Sequence, residues 1–263
     1  MQYADDTTLT LKCNKSVSLA IAEILSFSEV SGLKLNTSKS QGLWLGKLIE
    51  NPAVFEGISF TDESIKNLGI YLNKNMKVCL KQSWEDKLNK VEKTLKIWSN
   101  RKLTLFGKCK IINSLVVPKL IYLMTILEMD AEYIRKLENL IFTFLWAKSH
   151  KIKKCTVIGP QHNGGLGVID LELKVMSLKA SWVPKMLKES KQLFVINTYL
   201  SSLGLNLNLL LKMNFRSREC FPIIKKLPEF YQEIIIAFNK IKSIKPITKL
   251  NDTEIFTQCI WGN

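Results

Sequence analysis

The chain has 263 residues, 46% of them apolar, which suffices for one large or two small domains that each bury a core. A mean hydropathy near zero excludes a disordered chain. Lys and Arg total 38 against 23 Asp and Glu, a net +15, which favours a polyanionic partner over an acidic-surface role, with a solvated basic face as the alternative.

Gln2-Tyr3-Ala4-Asp5-Asp6 stands at the start, and Thr7–Lys12 alternates Thr and Leu, the period of a strand. Residues 16–30 place Val17, Ala20, Ile21, Ile24, Leu25 and Phe27 at helical spacing, and Ser31-Gly32 closes that helix. Strands are expected at Leu33–Asn36, Gln41–Leu45, Ile58–Phe60 and Ile65–Leu72, between turns bearing Gly, Asn and Pro. This first part is α+β.

From residue 78 the period becomes 3.6. Trp84, Leu88, Val91, Leu95 and Trp98 recur at spacings of 4, 3, 4 and 3 and form one apolar stripe. Lys87, Lys90, Lys93 and Lys96 fall largely off it, facing solvent or a polyanion. A second helical stretch runs from Thr104 to Leu127 and should kink or break near Pro118. A third starts at Asp130, an N-cap with Glu132 in the first turn, and continues through Ile134, Leu137, Ile141 and Leu145. Three successive helices suggest a helical bundle. Gly164-Gly165-Leu166-Gly167 follows in a turn-rich stretch; with no Lys-Ser/Thr after it, it is a structural turn rather than a phosphate loop. A helix is expected over 171–188 and another over Tyr231–Lys242, the chain between them being loop.

The basic excess is concentrated: residues 74–154 hold 18 basic and 7 acidic side chains. Six scattered cysteines without a C-x-x-C pair, and two histidines, suggest neither a zinc site nor a disulfide framework. Reduced thiols fit a cytoplasmic or nuclear protein, and Asp5 and Asp6 stand where a signal peptide would be apolar. The most apolar run, Ile111–Met129, is interrupted by Pro118-Lys119, so no membrane association is expected.

An Asp-Asp pair alone is most often an exposed turn. Here an aromatic and a small residue precede it and a β-like run follows, which suits a hairpin whose turn projects carboxylates. Nucleotidyl transfer uses such carboxylates to hold Mg²⁺ ions that clamp the attacking oxygen and the leaving pyrophosphate.

Tyr3-Ala4-Asp5-Asp6 resembles the YxDD signature of reverse transcriptases, and its Ala and Thr-rich sequel resemble the LINE-type (non-LTR) retrotransposon enzymes. Phe27–Ser40 is similar to the helix-plus-strand palm segment after that motif, and Asn67–Leu72 to the strand that grips the primer. Trp98–Leu123, with Leu103–Lys108 and Pro118–Tyr122, resembles the thumb; Phe144-Leu145-Trp146, Gly164–Asp170 and Ile255–Asn263 resemble segments beyond it. The resemblance implies an α+β fold: a partial polymerase palm over 1–77, a helical thumb-like bundle over 78–155, and a mostly helical post-thumb region over 156–263.

It also implies roles. Asp5 and Asp6 would be the catalytic, Mg²⁺-binding pair, Asp5 the more direct ligand. Lys39 would be a general acid toward pyrophosphate, or else an exposed turn lysine. Leu68, Gly69 and Ile70 would support the primer end. Lys87, Lys90, Lys96, Arg101, Lys102 and Lys108 would follow the phosphates of an RNA template and DNA primer, with no small-molecule cofactor. The family's third aspartate and its fingers residues precede the motif. Since the motif begins at residue 2, the chain by itself is expected not to polymerise DNA. The alternatives are a non-catalytic module binding RNA or an RNA–DNA hybrid, and a non-functional transposon remnant.

Overall fold

Turn chemistry organises the first part of the chain in the computed structural model, which describes residues 2–3, 6–45, 54–146, 152–188, 190–202, 204–212, 222 and 224–244. The chain divides into two compact units, Met1–Ser83 and Trp84–Asn263.

In the first unit, β1 (Gln2–Tyr3) and β2 (Asp6–Thr7) pair antiparallel, with Gln2 opposite Thr7 and Tyr3 opposite Asp6. The strand expected over 7–12 stops at Thr7. Leu9 and Leu11 remain 49% and 41% exposed, so the Thr/Leu alternation finds no sheet face to bury it among the described residues. Helix α1 (Asn14–Ser31) forms as its periodicity requires and ends at Gly32, whose left-handed backbone (φ 73°) directs its N–H to the Ser28 carbonyl. It buries Val17 and Ile21 only.

Strands β3 (Gln41–Leu43), β4 (Val54–Phe55) and β5 (Ile58–Thr61) form one sheet with β5 in the middle, parallel to β3 and antiparallel to β4. Glu56 and Gly57, at φ 51° and 74°, make the two-residue turn between β4 and β5. Trp44 stacks on Phe60 with ring centroids 4.5 Å apart. The Phe60 ring occupies the place where a Cβ at Gly42 would lie, which is why this strand position carries glycine. Leu33–Asn36 is not a strand. The single strand expected over Ile65–Leu72 is a hairpin, β6 (Ile65–Asn67) and β7 (Ile70–Leu72).

The second unit is helical, and the whole is α+β. Helix α2 (Met76–Ser99) carries the stripe read from the sequence. Trp84, at its start in this unit, is fully buried, donates from Nε1 to the Glu128 carbonyl at 2.7 Å and stacks on Tyr133. Thr104 caps α3 (Leu105–Ile111), its hydroxyl accepting from the Gly107 N–H at 3.1 Å.

A five-residue π-turn, Ile112–Val116, joins α3 to α4 (Val117–Ile126). Pro118 lacks an N–H and would clash one turn back; the wider turn absorbs this, with the Val117 N–H reaching the Ile112 carbonyl. The expected kink at Pro118 is thus a π-turn rather than a break. Residues Leu105–Ile126 are long and apolar enough to cross a membrane. Ile112, Val116, Leu120, Leu123 and Met124 are nevertheless fully buried in this unit, as in a core helix.

Helix α5 (Ala131–Trp146) starts where the Asp130 backbone carbonyl accepts the Tyr133 and Ile134 N–H groups. A short α6 (Lys154–Ile158) leads into the glycine segment. There Gly165 lies against the backbone of Gly159, and Gly167 donates to the Gly159 carbonyl at 2.9 Å. Asn113, in the π-turn, holds this segment from the other side: Nδ2 donates to the Gly167 carbonyl at 2.7 Å, and Oδ1 accepts from the Ile169 N–H at 3.1 Å.

Asp170 caps α7 (Leu171–Ala180) by accepting from the Glu172 and Leu173 N–H groups. The helix expected over 171–188 is interrupted at Ser181, and α8 (Trp182–Lys188) follows. Pro184 explains the break, since it cannot donate to the Ala180 carbonyl. Where loop was expected beyond 190 there are two helices, α9 (Ser190–Ser201) and α10 (Leu207–Lys212), before α11 (Glu229–Ile244). Ile196, Leu200, Leu207, Leu210, Ile224 and Ile234 close a core with Val183 and Met186. Helices α4 and α11 both pack on α7.

Candidate functional site

Two sets of residues carry the chemistry expected from the sequence, one in each unit. In the first, Asp6 opens β2 and its side chain is exposed, while Asp5 lies outside the described residues. Among the described residues no group of three or more His, Cys, Asp or Glu side chains is placed to hold a metal ion.

Lys39 sits in a turn built by Asn36, whose Oδ1 accepts from the Lys39 N–H at 3.2 Å and from the Ser38 hydroxyl at 2.7 Å. Its side chain is exposed. Leu68 and Gly69 form the two-residue turn of the β6–β7 hairpin, at φ 47° and 84°, and Ile70 begins β7. The sequence suggested a strand for this trio; its first two residues are instead a turn, because paired positive φ values match the twist of the flanking strands. Asn67, just before the turn, donates from Nδ2 to the Thr8 hydroxyl at 3.1 Å. That bond ties the hairpin to the segment following Asp6 and Thr7. The Tyr71 N–H donates to the Ser83 hydroxyl at 3.0 Å, fixing the other side of the hairpin.

In the second unit the helical period sorts the basic residues. Residues 87–119 hold nine Lys and Arg and a single acid, Glu92. Lys87 is half-buried. Lys90 is exposed and pairs with Asp86 one turn earlier at 3.0 Å, an interaction of small energy at a surface. Lys93 and Lys96 are exposed on α2. Arg101 stacks over the Trp98 ring at 4.8 Å, which orders the guanidinium at the end of α2. Lys102 is exposed in the connection to α3.

Lys108 differs from these. It is half-buried, donates to the Leu145 carbonyl at 3.0 Å and lies over the Phe144 ring. Its ammonium completes the C-terminal turn of α5, a favourable place for a cation.

Three further residues of this surface are missed by reading the apolar stripe alone. Phe106 is 61% exposed on α3, Lys110 follows it by one turn, and Lys119 donates to the Thr94 hydroxyl at 2.6 Å. The available signal was an aromatic residue set among Arg101, Lys102, Lys108 and Lys110, a basic-aromatic pattern rather than a helical one.

No family model matches the chain. It is 27% identical over 189 residues to the Transposon TX1 uncharacterized 149 kDa protein of Xenopus laevis. The match covers 70% of this chain and 14% of that relative, so the chain spans a small part of the relative's length. The chain is thus similar to a transposon protein, with the alignment reaching over most of its residues.

Proposed function

We propose that the chain is part of an RNA-directed DNA polymerase of a non-LTR retrotransposon and that it binds an RNA template and DNA primer through the basic surface of its second unit. Residues 1–77 then correspond to the rear of a polymerase palm, 78–155 to a thumb-like bundle and 156–263 to the region after the thumb. Such a protein works in the cytoplasm or nucleus, where its nucleic acid is.

One observation carries the binding reading: nine basic residues and one acid in 87–119, with Lys96, Lys102 and Lys110 exposed and without an acidic partner among the described residues. An unneutralised cationic surface of this kind attracts phosphates irrespective of base sequence. Lys93 and Arg101 extend it. Lys108 joins only by leaving the Leu145 carbonyl. The antiparallel pairing of β1 and β2, with Tyr3 opposite Asp6, supports the polymerase descent, because it sets Asp6 at the start of a strand paired with the one that carries Tyr3.

Mg²⁺ would be held by Asp5 and Asp6 together with a third aspartate that the resemblance places ahead of the motif. Asp6 is the one carboxylate of this set among the described residues.

The test is binding of a labelled RNA–DNA hybrid to the full chain over a range of salt. Five phosphate contacts give a slope of log K against log[salt] of about −4. Undetectable or salt-independent binding refutes the reading. Primer extension on an RNA template, with Asp5→Asn as control, separates polymerase from non-catalytic binding module: extension lost in the variant supports the enzyme.

A further inference from the structure

Phe106 is one of the exposed large apolar residues of the second unit, and it stands in a strongly basic stretch. It is 61% exposed on the first turn of α3. Lys110 stands one turn further on the same face, and Arg101 and Lys102 precede it in the connection from α2. That connection is held in one shape. The Leu103 N–H donates to the Arg101 carbonyl at 2.8 Å, Thr104 caps α3, and Arg101 is stacked on Trp98. The phenyl ring stays largely in water, close in sequence to Arg101, which is ordered on Trp98, and to the exposed Lys102 and Lys110.

Duplex phosphates explain the lysines but leave the ring unused, since paired bases present no open face at a helix surface. An unpaired nucleotide uses both: its phosphates meet Lys102 and Lys110, and its base stacks on the ring. We infer that Phe106, flanked by Arg101, Lys102 and Lys110, is a stacking platform for an unpaired nucleotide of single-stranded nucleic acid bound alongside the template–primer. The inference rests on the proposed binding of nucleic acid by this surface and adds to it the single-stranded ligand and the residue that selects it. The platform distinguishes paired from unpaired bases without reading their identity, because every base has a π-face. Phe106 acts by shape and Lys102 and Lys110 by charge, so the two contributions separate in experiment.

The test uses the full chain and two probes, a blunt RNA–DNA hybrid and the same hybrid with a short single-stranded RNA extension carrying a fluorescent purine analogue. Wild type is expected to prefer the extended probe and to quench the purine on binding. Phe106→Ala should lose about tenfold in affinity for the extended probe, together with the quenching, and so lose the preference for it over the blunt hybrid. Phe106→Tyr should restore both. Lys102→Ala and Lys110→Ala should weaken the extended probe and reduce its salt slope by about one each, while the bound purine remains quenched. Because Phe106 is exposed, its substitution leaves the core intact; unchanged thermal unfolding of the variant checks this.

A Phe106→Ala variant that retains the preference and the quenching overturns the stacking platform while the binding reading stands. Equal weakening on both probes overturns it too. A wild-type chain that binds neither probe refutes the binding reading, and the platform with it.

Discussion

Gly165→Ala adds one methyl group where the chain has no room for it. A Cβ at this position would lie 2.0 Å from the Gly159 carbonyl oxygen and 2.2 Å from its carbon. An ordinary carbon–oxygen contact is about 3.4 Å, so the two backbones must separate by roughly 1.4 Å. The separation breaks the Gly167 N–H bond to Gly159 (2.9 Å) and the Gly165 N–H bond to Pro160 (3.0 Å). It also draws the segment away from both Asn113 bonds. Four hydrogen bonds at about 1 kcal/mol each set the expected loss at roughly 3–4 kcal/mol.

Gly164→Ala is the control. Its φ is 78° with open space around the position, so it costs only the left-handed penalty of about 1 kcal/mol. Urea unfolding of the full chain, followed by circular dichroism, measures both. Asn113→Ala should cost about 2 kcal/mol by itself and less in the Gly165→Ala background, because its partners have already moved. Equal losses for the two glycine variants, or strict additivity with Asn113→Ala, would refute the idea that this close approach clamps the glycine segment to the π-turn.

Lys179 is 2% exposed, pairs with Glu233 at 2.8 Å and donates to the Ile126 carbonyl at 3.1 Å. Lys179→Ala should therefore destabilise by about 3–5 kcal/mol in urea unfolding, and Lys179→Met combined with Glu233→Leu should recover most of the loss. Iodoacetamide labelling mapped by mass spectrometry should modify Cys13 ahead of the buried Cys79 and Cys109, since it is exposed and its thiol is pushed down by the Ser16 hydroxyl and N–H. Burial pushes the Cys109 thiol up and shields it, so it should label only on unfolding; equal rates for the two would contradict the placement of α3. The Glu138 carboxylate holds Lys154 above its ordinary value of 10.5, so this pair's contribution is whole below that pH and is lost as pH rises through the raised pKa. Glu138→Gln should accordingly flatten the alkaline fall in stability, and an unchanged alkaline limb would count against the pair.

Where a residue's environment is set by its own helix, the sequence was sufficient. Helix α1 with its Gly32 stop, the Trp84–Leu95 stripe, the Asp130 start of α5 and the helix around Tyr231 were all legible, because period and capping are local properties. Local reading failed where a partner decides the outcome. The alternation of Leu9 and Leu11 made no strand, since a strand needs a neighbour to exchange hydrogen bonds with. Leu207–Lys212 is too short and too uniformly apolar to show a helical period, and it folds as helix because the core it completes comes from α8, α9 and α11.

The candidate site divides the same way. The positive charge of residues 87–119, the Tyr3–Asp6 motif and the likeness they carry are legible without a fold, since composition and motif do not depend on folding. Which cations face outward depends on packing: it left Lys96, Lys102 and Lys110 exposed, turned Lys108 to the end of α5 and buried Lys179 against Glu233. It also placed the Phe106 ring outside the core, which no pattern of apolar residues could have indicated. The physical reason is common to all of these. A lysine or phenylalanine has the same local propensity whether its side chain finds solvent, a carbonyl or a carboxylate, and which of these it meets depends on helices remote in sequence.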